Sequence, residues 1–199
     1  MIPIRNNGCY CFTLEVVDTV DIFTRPMYKQ IIVHSLNHFI DNKGLVVYGW
    51  CLMSNKLSLV CQSAGFTSLI NLFTEFIAFT SKKIVDAIQR NPDNRNNWLA
   101  KHFENKSGEM DDNPSCWSEI STVAEIDISN PKSMAEYLES IHSQPVKDRI
   151  VHDASDYVYS SARDYAIHSG LVKITKPASV ETLLYEMENR KNSFRINYQ

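Results

Sequence analysis

The stretch GLVVYGWCLMSNKLSLV, residues 44–60, decides the fold class because two strand-forming runs lie on either side of a sharp polar break. Residues 45–51 and 56–62 are rich in apolar and β-branched side chains, a composition typical of β-strands. Between them lies the short segment Met53-Ser54-Asn55, and a connection of this length is typical of antiparallel neighbours. The stretch therefore predicts an antiparallel pair of strands.

Strand and helix signals alternate on either side of this pair. Residues 9–18 and 115–126 are further strand candidates, and apolar residues at helical spacing predict helices over about 25–41 and 67–90. Asn130-Pro131 begins another helix. The order β-α-β-β-α-β predicts an α+β fold, a ferredoxin-like split βαβ sandwich whose antiparallel sheet carries helices on one face.

Length and composition indicate one main domain. A chain of 199 residues with 44% hydrophobic content can bury one sizeable core, so we expect a domain over residues 1–174 and a C-terminal tail over 175–199 with a short amphipathic helix. No run approaches the roughly 20 apolar residues that span a bilayer, and the N-terminus lacks the layout of a secretion signal. We therefore expect a cytoplasmic protein without a membrane partner.

Charge is unevenly distributed along the chain. The net charge of -3 gives no overall attraction to nucleic acid, but residues 82–106 contain more cations than carboxylates: Lys82, Lys83, Arg90, Arg95, Lys101 and Lys106 against Asp86, Asp93 and Glu104. The segment is either an ordinary solvated surface or a local DNA-binding patch.

Several reactive residue types have structural explanations. His34 and His38 are spaced i, i+4, which permits a shared metal, but without an acidic third ligand nearby a solvated helix face is the expectation. The five cysteines are too scattered for a disulfide framework or a zinc site, and Cys9 and Cys11 are expected to pack in the core as reduced thiols. Five tyrosines are expected to pack their rings with the hydroxyl near water: Tyr28, Tyr137, Tyr157, Tyr159 and Tyr165.

Three segments carry a family resemblance: residues 18–60, residues 73–88 and residues 137–165. Their most specific parts are YSSARDY at 159–165 and IHSQPV at 141–146. In order and spacing they resemble the REP-associated tyrosine transposases, whose corresponding motif is IHNNPV and which belong to the single-tyrosine HUH transposases that cut and rejoin single-stranded DNA. The resemblance covers most of residues 10–170, so that the main domain looks transposase-like.

The resemblance implies a specific chemistry. In the family pattern a tyrosine attacks a phosphodiester, and a His-hydrophobic-His strand motif with a further polar ligand holds a divalent metal. In this sequence the two histidine positions fall on Lys56 and Ser58, the tyrosine position on Phe79 and the further ligand on Lys83. Phenylalanine has no nucleophilic oxygen, and a protonated lysine has no lone pair for a metal. We therefore expect no catalytic residue, no bound metal and no other cofactor.

Three hypotheses for function follow from the resemblance. The first is a transposase-like protein, related to enzymes of DNA transposition, that binds single-stranded or hairpin DNA as a monomer or homodimer without cutting it. The second is a structural or interaction module that kept the fold, lost DNA binding and uses the tail helix as its contact surface. The third, which the replaced residues disfavour, is an active transposase with relocated residues. For the first hypothesis Lys56 should lie near Lys82 and Lys83, and the candidate DNA contacts are Lys56, Lys82, Lys83, Arg90, Arg95 and Lys101.

Overall fold

The computed structural model describes residues 8–65, 67–91, 93–104, 115–166, 170–185 and 187. Within them, four strands form one antiparallel sheet: β1 (Cys9–Val16), β2 (Leu45–Leu52), β3 (Lys56–Ser63) and β4 (Trp117–Ile126). The spatial order is β2-β3-β1-β4, so β3 lies antiparallel between β1 and β2. This is the arrangement of a split βαβ unit, and the predicted α+β, ferredoxin-like fold class is confirmed.

Helices occupy most of the remaining described residues: α1 (Pro26–Lys43), α2 (Leu69–Arg90), α3 (Asn94–Glu104), α4 (Pro131–His142), α5 (Gln144–Lys147) and α6 (Ala162–Ala166). Local sequence explains their ends. Pro26 lies in the first turn of α1, where its missing N–H is not needed, and Gly44 ends that helix with φ 76°, a left-handed conformation that favours glycine. The Ser68 side chain accepts a hydrogen bond from the Asn71 N–H and caps α2.

The predicted hairpin forms from β2 and β3. Leu52 and Leu57 are paired across its end, and the Met53 N–H donates to the Lys56 carbonyl at 2.8 Å. The polar break that the sequence placed at Met53, Ser54 and Asn55 is therefore the turn of an antiparallel pair.

One face of the sheet is covered by α1 and α2, as predicted. The core on this side contains aromatic side chains from both layers, including Phe12 and Phe73, whose ring centroids lie 4.2 Å apart. Burial of each large apolar side chain contributes about 1.5–3 kcal/mol. The main members of this first core are Tyr10, Phe12, Leu14, Ile32, Leu36, Phe39, Leu57, Leu59, Phe73, Phe76 and Ile84.

The opposite face of the sheet is also covered, which corrects the expectation that helices lie on one face only. A second core joins α4 to the sheet and contains Cys9, Cys11, Tyr48, Cys51, Val60, Met134, Ala135, Leu138 and Ile141. The cause is visible in β2, whose apolar run has no polar alternation, so that both of its faces require burial. A Cβ placed on Gly49 would overlap Leu138 Cδ2, so glycine permits the close approach of α4.

All five cysteines are free and buried, as expected for reduced thiols. Burial raises the pKa of Cys9 to about 12 and that of Cys11 to about 11. Since the thiolate is the reactive form of cysteine, these two side chains serve packing, in agreement with the prediction.

The start of the predicted tail packs against the second core. Residues 178–185 are helical, Val180 is buried within the second core, and the Thr175 N–H donates to the Val47 carbonyl at 2.8 Å. Residues 188–199 lie outside the described part. No helix within the described ranges combines the length and apolar composition needed to cross a bilayer.

Candidate functional site

The four positions where the family pattern places its catalytic groups lie on two different faces of the sheet. Along β3, Leu57 and Leu59 belong to the first core, under α1 and α2. Ser58 points the other way, where the Gln144 side-chain amide donates to its hydroxyl at 3.1 Å. Because side chains alternate along a strand, Lys56 shares the face of Ser58. Lys82 and Lys83 are on α2, which covers the other face of the sheet.

A second lysine, Lys29 of α1, approaches the same end of the sheet as Lys56. The Lys29 ammonium lies 4.3 Å from the ring centroid of Tyr159 and 5.6 Å from that of Tyr157, and burial lowers its pKa. Burial also raises the pKa of the nearby Cys51 thiol to about 12, against the opposing effects of the Lys56 and Lys29 charges. Two ammonium groups thus approach the same end of the sheet.

Phe79 and Lys83 meet α1 instead. Together with Ile31, His34, Ser35 and His38 they line an open cavity of about 310 Å³, here called the α1–α2 cleft. The His38 ring stacks on Phe79 with centroids 5.3 Å apart and planes 9° apart, and the Lys83 ammonium lies 4.8 Å from the Phe79 centroid. The sequence presented the histidine pair and the Phe79–Lys83 pair as separate features, and the structure joins them.

The histidine pair has no third ligand of the usual kind in the cleft. No group of three His, Cys, Asp or Glu side chains with a metal-binding arrangement occurs in the described part of the chain. The α1–α2 cleft is instead lined by three nitrogen-bearing side chains that can donate hydrogen bonds, those of His34, His38 and Lys83.

The candidate DNA-binding cations differ in whether they form ion pairs with described carboxylates. Arg95 donates to the Asp21 carboxylate at 2.6 Å, and Arg90 lies 4.0 Å from Asp86 at the surface, a pair of little energetic consequence. By contrast, no ion pair to a described residue is formed by the exposed lysines Lys82, Lys83 and Lys101. Lys106 lies outside the described residues.

Sequence patterning missed an exposed tryptophan on α3. Leu99 and Phe103, spaced i, i+4, are fully buried, whereas Trp98 is 51% exposed. Its ring stacks on His102, with centroids 4.9 Å apart and planes 17° apart. Trp98 also lies three residues before Lys101, on the same side of the helix. An exposed aromatic ring beside a free cation is a surface on which a nucleic-acid base can stack.

The tyrosines considered as alternative nucleophiles are mostly engaged in the fold. The Tyr157 hydroxyl donates to the Leu52 carbonyl and the Tyr165 hydroxyl to the Tyr48 carbonyl, each at 2.8 Å. These hydroxyls have protein partners rather than the expected water. Burial raises the pKa of Tyr157 to about 12 and also raises that of Tyr165, which opposes the ionisation that a nucleophile needs.

The two most specific segments of the resemblance contact each other. His142, from IHSQPV, lies with Nε2 2.7 Å from the Ser161 hydroxyl of YSSARDY. That hydroxyl also accepts a hydrogen bond from the Trp50 N–H at 2.8 Å. These two contacts of Ser161 link both segments to β2. Burial lowers the pKa of His142 to about 3, which keeps the imidazole neutral. This contact is structural, since every group in it is consumed by the fold.

Comparison with known proteins gives a likeness of fold. No family model and no curated protein matches the sequence. A solved structure of a REP-associated tyrosine transposase bound to a REP hairpin superposes with a TM-score of 0.58. The two chains are 14% identical, and the match covers 90% of this chain and 94% of that one. At this identity the comparison shows a shared, transposase-like fold.

Proposed function

We propose that this protein is a transposase-like DNA-binding protein that recognises single-stranded or hairpin DNA and does not cut it. The observation that carries the proposal is the likeness of fold, over 90% of the chain, to a transposase bound to a REP hairpin. Affinity for a DNA backbone needs cations and a stacking surface but no nucleophile. Binding can therefore persist in a chain whose catalytic side chains have been replaced.

The absence of cutting is supported by side-chain chemistry. Cleavage through a covalent intermediate needs an ionisable hydroxyl in line with the phosphate. Phe79, where the resemblance places the tyrosine, has none, and it packs on the other side of the sheet from Ser58. The Ser58 hydroxyl is buried and is hydrogen-bonded to Gln144. Lys56 adds a positive charge where the family pattern has a metal ligand. A lysine can attract a phosphate there, but it repels a divalent cation.

The contact surface that we propose lies on α2 and α3. It contains the exposed cations Lys82, Lys83 and Lys101 and the exposed Trp98 ring. The lysines supply backbone attraction, and the ring supplies stacking for an unpaired base, which hairpin loops and single strands offer. Arg95 contributes less, because its guanidinium is paired with Asp21.

A gel assay tests both parts of the proposal. We expect the protein to retard a hairpin-flanked oligonucleotide on a native gel and, with Mg²⁺ or Mn²⁺ present, to give no cleaved product and no covalent adduct on a denaturing gel. The Phe79→Tyr variant should behave in the same way. The triple variant Phe79→Tyr, Lys56→His and Ser58→His should also be inactive, because the new tyrosine and the new histidines lie on opposite faces of the sheet.

A covalent adduct in the wild-type lanes would contradict the proposal, and peptide mapping of that adduct would identify the nucleophile. A native gel without retardation at low salt would contradict the binding part and favour an interaction module that lost DNA.

A further inference from the structure

We propose that the α1–α2 cleft binds a phosphate group, and that in the complex with DNA this is a backbone phosphate of the bound strand. The second half of this statement rests on the proposed function, whereas the first does not. The cleft is lined by three side chains with nitrogen donors, those of His34, His38 and Lys83, together with Phe79. Phosphate oxygens accept hydrogen bonds, and they do so most strongly from charged donors.

The hydrogen bonds around His38 fix which nitrogen it presents. The Asn42 side-chain amide nitrogen lies 3.0 Å from the His38 carbonyl, an acceptor only, so this nitrogen is the donor. The same nitrogen lies 3.2 Å from His38 Nδ1, which must then accept in the neutral ring. The ring proton is therefore on Nε2, and His38 keeps a donor there whether it is neutral or charged.

Phe79 holds the two donors in position. The His38 imidazole lies flat against its ring, and the Lys83 ammonium lies above the same ring, where the π face attracts a cation. A phenylalanine offers no hydrogen bond that competes for a phosphate oxygen. Phe79 thus supplies an apolar base for the proposed anion site.

The charges near the cleft leave it positive. No carboxylate is among its described lining residues. The acids on the flanking helices already have cations: Glu75 is paired with Lys43, Asp41 with Lys173, and Asp86 is near Arg90. Beneath the helices lies the apolar first core.

Inorganic phosphate is the first probe, because it tests the cleft independently of DNA. The imidazole signals of His34 and His38 in an NMR titration should shift saturably, while those of the exposed His152 stay unchanged. The shifts should be lost in Lys83→Gln and retained in Lys82→Gln. Lys82 is the matched control because it is the neighbouring lysine of α2 and does not line the cleft.

Hairpin DNA is the second probe. We expect Lys83→Gln and His38→Gln each to weaken binding about tenfold, the size of one hydrogen bond to a charged group, and Lys82→Gln to weaken it less. If phosphate shifts the imidazole signals saturably but the protein does not bind DNA, the phosphate site in the cleft is supported and the proposed function is rejected. DNA binding that falls equally in the Lys82 and Lys83 variants, or imidazole signals that do not respond to phosphate, would overturn the cleft assignment.

Discussion

Acidification from pH 7 to pH 4 is expected to cost the fold about 3 kcal/mol through His142 alone. Burial lowers the pKa of His142 to about 3 in the folded protein, whereas an unfolded histidine has a pKa of about 6.5. Between these two values the unfolded chain binds the proton and the folded chain does not. Stability is therefore lost as the pH falls from 6.5 towards 3, and it is fully present above 6.5.

Urea unfolding at a series of pH values measures this loss. The free energy of unfolding of the wild type should fall more steeply below pH 6.5 than that of His142→Gln, which lacks the titrating ring but shares every carboxylate. His152→Gln is the matched control, because His152 is exposed, and it should follow the wild type. Parallel curves for the wild type and His142→Gln would show that the imidazole is not held neutral by burial.

Replacement of Gly49 by alanine is expected to lower the free energy of unfolding by about 2–3 kcal/mol, a typical cost of overpacking a dense core. The new methyl group would overlap Leu138 Cδ2 and come within 3.3 Å of Ile141 Cδ1 and the Ser161 hydroxyl. Leu138 is fully buried, so its side chain has no free space to enter. The whole contact between α4 and β2 must adjust.

A double-mutant cycle with Leu138→Ala identifies the cause. If the overlap with Leu138 is responsible, Gly49→Ala should cost at least about 1 kcal/mol less in the Leu138→Ala background. Gly44→Ala is the control, since its cost comes from the left-handed φ of 76° and should not depend on Leu138. Strict additivity of Gly49→Ala and Leu138→Ala would contradict the close packing of α4 on Gly49.

The elements of the fold could be predicted from local signals, but their faces could not. The hairpin follows from two apolar runs and a polar break, and α1 ends where Gly44 supplies a left-handed residue. The alternation of β3 puts Leu57, Leu59 and Cys61 on one face and Lys56, Ser58 and Gln62 on the other, but it does not say which helices cover which face. The two cores that decide the matter form only in the folded chain. The sequence for that reason groups Lys56 with Lys82 and Lys83, which are on the helix that covers the other face.

Several contacts of the candidate site could not be predicted from the sequence either. The side of α2 on which Phe79 and Lys83 lie was readable from helical spacing, but the rotation of α2 against α1 depends on packing. The stack of Phe79 with His38 was therefore not foreseen. Trp98, Leu99 and Phe103 are all apolar. Only the i, i+4 pair can share the buried side of α3, and this spacing was the available signal for the exposed ring.

The central claim, that this chain binds hairpin DNA through a cationic surface, is tested most directly by an anisotropy titration of a labelled hairpin at several salt concentrations. Counterion release makes the logarithm of the binding constant fall linearly with the logarithm of the salt concentration. Three phosphate contacts from Lys82, Lys83 and Lys101 predict a slope of about -2 to -3. Trp98→Ala should weaken binding with little change in slope, since stacking releases few ions. No saturable binding at about 50 mM salt, or binding with a slope near zero, would contradict the account.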